Sequence, residues 1–199
     1  MYIILTNKIM AKVIIITGPS GVGKGTIEKE LFADPTLNLT FSISATTRDR
    51  REKEMDGIHY FFINKNQFEQ KIENNEFLEY SKHFDNYYGT LKSEIDQKLS
   101  ENKNVLVEVE TTGAINIIGQ YKQNQIEDQL VTIFIVPPSL QELKKRILNR
   151  NSENRRSIRK RLKKAKKELE YKKYFNHVIK NDNIKEAIAQ VKEILLKEC

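Results

Sequence analysis

One segment near the start of the chain restricts the possible folds more than any other part of the sequence. It lies between the β-branched run 13–16 and residues 27–32, whose apolar side chains have helical spacing. Its residues are Gly18, Pro19, Ser20, Gly21, Val22, Gly23, Lys24, Gly25 and Thr26. A β-branched run, a glycine-rich break and a helix-spaced segment predict a strand, a loop and a helix in succession. This order favours an α/β fold.

The same segment has the spacing G-x-x-x-x-G-K of a P-loop. Glycines let main-chain amides surround a polyphosphate, and the following helix adds its positive dipole end. Lys24 adds a full charge, worth about 4 kcal/mol against a phosphate oxygen at 4 Å and an effective dielectric constant of 20. The other interpretation is a glycine-rich turn with an unrelated lysine. Four of the eight glycines lie between Gly18 and Gly25, which favours a phosphate-binding loop.

Two further apolar segments, 104–109 and 130–136, are predicted buried strands. Each precedes a predicted helix, 113–121 and 139–150, and Ser139 with Glu142 predicts a capping box at the start of the second. Strands that alternate with helices indicate a parallel sheet covered on both faces, which makes three layers.

The remaining segments follow different patterns. Residues 44–90 contain short alternating pieces, such as 59–63, and one helix over 65–74, which predicts an inserted lobe of short, mostly antiparallel strands. Residues 152–173 predict a long basic helix. The apolar residues between Ile184 and Leu195 have helical spacing, so this last helix is predicted to lie on the core.

Residues 44–62 carry a cluster of guanidinium groups beside hydroxyl groups. Arg48 and Arg51 are three apart, with Ser44 before them and Tyr60 after them. Guanidinium groups bind phosphate through forked hydrogen bonds, so the cluster suits a phosphate monoester. The alternative is a surface loop in which these arginines pair with Glu52 or Glu54.

The cluster also follows the pattern S-x-T-T-R-x-x-R-x-x-E-x-x-G-x-x-Y-x-F, which resembles the signature of guanylate kinases. Segments 74–80, 86–90 and 178–182 resemble later segments of that family in the same order, so the similarity covers about residues 12–196. The resemblance implies a P-loop three-layer α/β fold with a parallel sheet core, an inserted mixed or antiparallel GMP-binding lobe and a helical lid. It implies transfer of the γ-phosphate of ATP to GMP, giving ADP and GDP.

The family pattern implies an acceptor site position by position. Its residues here are Ser44, Arg48, Arg51, Glu54, Tyr60, Glu79, Tyr88, Thr90 and Glu110. Glu79 is expected to accept from the adjacent N–H groups of guanine, since adenine would leave that carboxylate poorly paired. For Tyr60 taken alone, packing in a core is an equal alternative.

The resemblance also implies the groups that act during transfer. The catalytic residues would be Lys24, Arg48, Arg146, Arg150 and Arg161. The last three would come from a lid that closes over ATP and neutralises developing charge. Asn181 would contact the adenine side, and Mg²⁺ would accompany ATP, held mostly by water and phosphates with Thr26 as the nearest hydroxyl. No general base is expected, because the acceptor phosphate is already ionised.

Three departures from the family pattern stand out. Glu108 and Glu110 replace the usual pair of aspartates after the strand, and residues 111–112 also differ. Each glutamate is one methylene longer, so we expect an active but altered site at Glu110; pairing with Arg or Lys is the alternative. The segment 150–156 lacks the glycine and acidic pair often seen in the lid.

Composition limits the partners. The net charge is +7, from 34 Lys and Arg against 27 Asp and Glu, which admits nucleic acid, an anionic membrane or phosphorylated substrates. No 18-residue apolar run, signal peptide or nucleic-acid reading motif is recognised, so neither membrane nor nucleic acid is expected as a partner. The single cysteine, Cys199, fits a cytoplasmic protein. A monomer and a homodimer are both compatible with the sequence.

The predicted organisation is an extension and start of the first strand over 1–11 and a guanylate-kinase-like domain over 12–196. Within it the core would comprise 12–43, 91–149 and 174–196, the acceptor lobe 44–90 and the lid region 150–173. Two other functions stay open: a monophosphate kinase for another base, such as AMP or dTMP, and a non-catalytic module that binds phosphopeptides. Glu79 and Thr90 disfavour the first, and Lys24 with the lid arginines disfavours the second.

Overall fold

The computed structural model describes residues 10–83, 85–148 and 155–199. Its larger sheet is parallel and has the strand order β2-β7-β1-β8-β9. The strands are β1 (Val13–Thr17), β2 (Leu39–Phe41), β7 (Asn104–Val107), β8 (Leu130–Val136) and β9 (His177–Lys180). This confirms the predicted parallel core. Strand β1 lies at its centre, paired with β7 on one side and β8 on the other.

Alternate side chains of the central strands enter two separate cores. Ile14 and Ile16 pack on one face with α1 (Lys24–Phe32) and α7 (Ile184–Glu198). Val13 and Ile15 pack on the other face with α3 (Lys92–Ser100) and α4 (Thr111–Gln123). A strand covered on both faces must be apolar at every position, which explains the continuous β-branched run in β1.

The second sheet is built from residues 45–91 and has the order β4-β3-β6-β5. Its strands are β3 (Ala45–Thr46), β4 (Phe61–Phe62), β5 (Phe77–His83) and β6 (Asn86–Leu91). The β3–β4 pair is parallel and the other pairs are antiparallel, which confirms the predicted mixed character. Helix α2 (Lys65–Glu73) covers the sheet with Phe68, which is fully buried against Phe77.

Two helices near the C-terminal third share a small core of their own. These are α5 (Leu140–Leu148) and α6 (Arg155–Glu168), joined by Leu143, Ile147, Ile158 and Ala165. At the start of α5 half of the predicted capping box is present, since Ser139 Oγ accepts from the main-chain N–H of Glu142 at 3.1 Å. The Glu142 carboxylate pairs instead with Arg146.

The predicted basic helix ends earlier than expected. Helix α6 stops at Glu168, and a 3₁₀ helix, Leu169–Tyr174, follows it. Two shorter 3₁₀ helices, Pro35–Leu37 and Glu127–Gln129, precede β2 and β8. Within the described ranges, no helix combines the length and the apolar character that crossing a membrane requires.

Candidate active site

The carboxyl ends of β1 and β7 open into a cavity of about 500 Å³, here called the glycine-loop cavity. Ligands in open α/β sheets bind beyond the carboxyl ends of the strands. The wall is formed by the glycine loop, the segment after β7 and one side of α6. The lining residues are Thr17, Gly18, Ser20, Gly21, Gly23, Lys24, Gly25, Glu28, Glu108, Val109, Glu110, Thr111, Arg161, Lys164 and Glu168.

The glycine loop needs glycine at two points for steric reasons. Gly18 has φ +149°, and a Cβ there would lie 2.3 Å from the carbonyl oxygen of Ile135. Gly23 has φ +105°, and a Cβ there would lie 2.5 Å from Asn181 Nδ2. Any larger residue would push the loop off β8 or off Asn181. The glycines therefore set the loop close to the sheet.

Lys24 begins α1 and folds back over the loop. Its Nζ donates to the carbonyl oxygen of Gly18 at 2.6 Å and to that of Pro19 at 3.4 Å. Burial lowers the pKa of Lys24 below its ordinary value, while the carboxylates of Glu28, Glu168, Glu108 and Glu110 oppose this shift. The ammonium group is thus held at the cavity by neutral carbonyls, which a phosphate group can replace.

Glu28 is the most deeply buried carboxylate in this wall. It lies one turn after Lys24 on α1 and is 7% exposed. Burial raises the pKa of Glu28 from 4.5 to about 7, the Glu108 carboxylate adds to the increase, and Lys24 opposes it. Glu28 was not among the residues predicted from the sequence, although its i, i+4 spacing from Lys24 places both side chains on one helical face.

Replacing Glu28 by Gln should make the protein more stable at alkaline pH. The folded state holds the Glu28 proton more tightly than the unfolded state, so stability from this group is present below about pH 4.5 and is lost as the pH rises through 7. We expect Glu28→Gln to gain about 1–3 kcal/mol in the free energy of unfolding at pH 8 and little at pH 5. Urea unfolding at both pH values measures this.

Glu30→Gln is the matched control for that prediction, because Glu30 is exposed on the same helix. It should leave the free energy of unfolding nearly unchanged at both pH values. A Glu28→Gln variant less stable than the parent protein at pH 8 would mean that the Glu28 carboxylate is held ionised by a favourable partner.

A second cavity, of about 680 Å³, lies between the two sheets and is here called the arginine cavity. Its wall comes from the segment before β3, the loop between β3 and β4, strands β5 and β6, and the segment after β7. It meets the glycine-loop cavity at residues 108–110. The lining residues are Ser42, Ser44, Arg48, Arg51, His59, Tyr60, Glu79, Ser81, His83, Asn86, Tyr88, Gly89, Glu108, Val109, Glu110, Thr112 and Gly113.

Arg48 is fixed in this wall by Glu54. The Arg48 Nη2 donates to Glu54 Oε1 at 2.8 Å, and the other Glu54 oxygen accepts from the main-chain N–H of Arg51 at 2.9 Å. The hydrogen bond with Arg48 lowers the pKa of Glu54 to about 2. The alternative interpretation, in which Arg48 pairs with Glu54, is therefore partly correct. This pairing orients Arg48 within the cavity wall, and its guanidinium also lies 5.6 Å from the centre of the Tyr60 ring.

Glu79, on β5, also lines the arginine cavity. It accepts from Thr90 Oγ1 at 3.3 Å, and Thr90 itself is fully buried. Burial raises the pKa of Glu79 from 4.5 to about 7; the Thr90 hydrogen bond opposes this increase, and Glu110 adds to it. Gly113 permits the carboxylate to lie there, because a Cβ at that position would be 2.8 Å from Glu79 Oε2.

Two hydroxyl groups in these walls have no hydrogen-bond partner among the described residues. Ser42 Oγ lies in the arginine cavity, and Thr111 Oγ1 lies in the glycine-loop cavity. A buried hydroxyl without a partner is costly, so each is available to a bound molecule. Thr111 was noted in the sequence only as a departure from the family pattern, whereas Ser42 lies two residues before the predicted Ser44.

Most of the predicted site residues line one of the two cavities, but seven of the described ones do not. Two of these, Glu54 and Thr90, contact the wall residues Arg48 and Glu79 instead. Val22 is fully buried, and Pro19 and Thr26 are not part of either wall; Thr26 is exposed on α1. Asn181 is 2% exposed, and its Nδ2 donates to the carbonyl oxygen of Val22 at 2.7 Å, so it supports the glycine loop. Arg146 donates to the carbonyl oxygen of Asn181 at 3.1 Å. Arg150 lies outside the described residues.

Comparison with known proteins identifies the family to which this site belongs. The guanylate kinase family model matches residues 10–198. The guanylate kinase of Mesomycoplasma hyopneumoniae strain J is 50% identical over 189 residues, which are 95% of this chain and 96% of that protein. The chain belongs to the guanylate kinase family. The resemblance drawn from the sequence motifs is thereby confirmed.

Other guanylate kinases extend the comparison. The guanylate kinase of Mycoplasma mobile is 49% identical over 187 residues, 94% of this chain and 93% of that protein. The crystal structure of guanylate kinase from Anaplasma phagocytophilum superposes with a TM-score of 0.67 at 26% identity, covering 96% of this chain and 87% of that one. The predicted α/β fold is therefore that of a guanylate kinase.

Proposed function

We propose that this protein transfers the γ-phosphate of ATP to GMP, giving ADP and GDP. The observation that carries the proposal is the junction of two cavities at residues 108–110, with Lys24 in one wall and Arg48 in the other. A donor triphosphate on the glycine loop would face an acceptor phosphate on the arginines. Phosphoryl transfer depends mainly on such positioning and on neutralisation of charge.

The donor half of the reaction would use the main-chain amides of the glycine loop and the Lys24 ammonium group. Lys24 would exchange its carbonyl partners for the β- and γ-phosphates of ATP. Arg161, in the same wall, would neutralise charge that develops on the transferred group. Arg146 would join it only after closure, since it pairs here with the main chain of Asn181, and Arg150 is proposed as the third arginine of the lid. Asn181 would act through the loop rather than by direct contact.

The acceptor half would use Arg48, Arg51, Tyr60 and Tyr88 for the GMP phosphate, with Ser44 beside them. Glu54 would serve by orienting Arg48. The acceptor phosphate is ionised at neutral pH and needs no base to make it nucleophilic. Glu79 would accept the N1–H and N2–H of guanine, with Thr90 behind it and Glu110 near the base.

Magnesium would accompany ATP, as the family's use of ATP with a divalent metal implies, and the charges of the glycine-loop cavity fit it. Among the lining residues that the structure describes, four carboxylates face three cations, Lys24, Arg161 and Lys164. A polyphosphate in such a wall needs further positive charge, which a hydrated Mg²⁺ supplies when bound. No group of three His, Cys, Asp or Glu ligands occurs in the parts of the chain described. Phosphates and water would therefore hold the ion, with Glu108 accepting from its water.

A coupled assay of ADP release with GMP, dGMP, AMP and dTMP as acceptors tests the proposal. We expect turnover with the guanine nucleotides and at least about a hundredfold lower kcat/KM with AMP and dTMP, because a site built for hydrogen bonds rejects a base that leaves them unpaired. AMP or dTMP as the best acceptor would assign the protein to another base. No ADP release with any acceptor, together with binding of a phosphopeptide, would assign it to the non-catalytic modules.

A further inference from the structure

The lid helix α6 carries a second cation in the glycine-loop cavity besides Arg161. Lys164 lies three residues after Arg161, on the same face of the helix, and lines the same wall as Lys24 and Gly18. Its Nζ is 2.9 Å from Glu110 Oε2 and 3.8 Å from Glu168 Oε1. Nothing in the sequence motifs singled out Lys164.

Glu110, the partner of Lys164, lies at the boundary between the two cavities. Glu110 follows β7 and lines both cavities, whereas Glu168 lies one turn along α6 itself. The Lys164–Glu110 pair therefore connects the lid helix to the boundary between the donor and acceptor sites.

The pair is suited to exchange its partners. The side chains of Lys164 and Glu110 are 55% and 50% exposed, and an ion pair so accessible to water adds little to stability. Breaking the Lys164–Glu110 ion pair therefore costs little free energy. A triphosphate on the glycine loop offers Lys164 more negative charge than one carboxylate does, and the donors of an acceptor base offer Glu110 another partner.

We propose that Lys164 is a phosphate ligand of the closed site, held on Glu110 until both nucleotides are bound. The proposal rests on the proposed function for the identity of the nucleotides. Binding of the acceptor base draws Glu110 away, Lys164 turns to the phosphates of the donor, and α6 follows. The pair thus couples occupation of the arginine cavity to closure over the glycine-loop cavity.

The first test compares Lys164→Met with Lys163→Met, a matched change at an exposed neighbour outside both cavity walls. Lys164→Met should lower kcat about tenfold to a hundredfold, as expected for loss of one charged group at the transferred phosphate, without changing Tm. Lys164→Arg should restore most of the lost kcat, and Lys163→Met should have the same kcat as the parent protein. Equal kcat values for all four proteins would overturn the proposal.

The second test measures binding of a non-hydrolysable ATP analogue by calorimetry, with no acceptor present. Glu110→Gln should tighten binding severalfold by releasing Lys164, and the gain should vanish in Glu110→Gln/Lys164→Met. Additive effects in this double-mutant cycle would overturn the proposed coupling. Because no acceptor is used, this result is independent of whether GMP is the substrate, which the acceptor assay decides separately.

Discussion

Replacing Lys24 by Ala should abolish phosphoryl transfer while leaving the protein folded. The ammonium group lies over the carbonyl oxygens of Gly18 and Pro19, where the phosphates of a donor nucleotide would replace them. A charge contact of about 4 kcal/mol corresponds to roughly a thousandfold in rate. We therefore expect kcat/KM for ATP to fall about a thousandfold or more in the coupled assay.

Stability should not fall with activity in this variant. Burial lowers the pKa of Lys24, so the folded protein holds this charge at a cost that alanine removes. Tm should stay within a few degrees of the parent value. Lys29→Ala, at an exposed position on the same helix, is the control and should keep full activity. Normal turnover by the Lys24→Ala protein would refute the assignment of the donor site to the glycine loop.

The second large effect is expected at Glu79. Two hydrogen bonds to a carboxylate contribute about 1.5–3 kcal/mol each, and Gln at this position would present an amide donor to one of the guanine donors. Glu79→Gln should therefore lower kcat/KM for GMP about a hundredfold to ten-thousandfold. Glu73→Gln, at an exposed position on α2, should leave it unchanged.

Protonation of Glu79 should also make the KM for GMP depend on pH. Its pKa is raised to about 7, so part of the free protein carries a neutral Glu79 at pH 6, and guanine needs the ionised form. KM for GMP should fall between pH 6 and pH 8 in the parent protein and stay flatter in Glu79→Gln. A KM that rises over this range in the parent, or a Glu79→Gln variant with normal kcat/KM, would exclude Glu79 from recognition of the base.

The sequence predicts the fold well because the fold depends on local signals. The glycine loop between a β-branched run and an amphipathic segment specifies strand, loop and helix at once, and segments 104–109 and 130–136 repeat the alternation. The structure confirms the predicted parallel sheet and the predicted mixed sheet, and it adds the strand order, which has β1 at the centre of the parallel sheet. The end of α6 was predicted too late, because 169–174 is also helical but winds as a 3₁₀ helix.

The site was predicted less completely, because its walls combine segments far apart in sequence. Glu28 lies in the glycine-loop cavity only because α1 faces the end of β7, some 80 residues away, where Glu108 raises its pKa. Asn181 was predicted to contact the nucleotide, yet its amide supports the loop at Val22. No periodic pattern in the sequence indicates such tertiary contacts. The roles proposed for individual residues remain predictions.

The small core shared by α5 and α6 has a consequence for which substitutions this protein can tolerate. Leu143, Ile147, Ile158 and Ala165 pack with one another apart from the clusters on either face of the central sheet. Substitutions within this small core are therefore expected to loosen α5 and α6 while leaving the packing of the two central clusters unchanged.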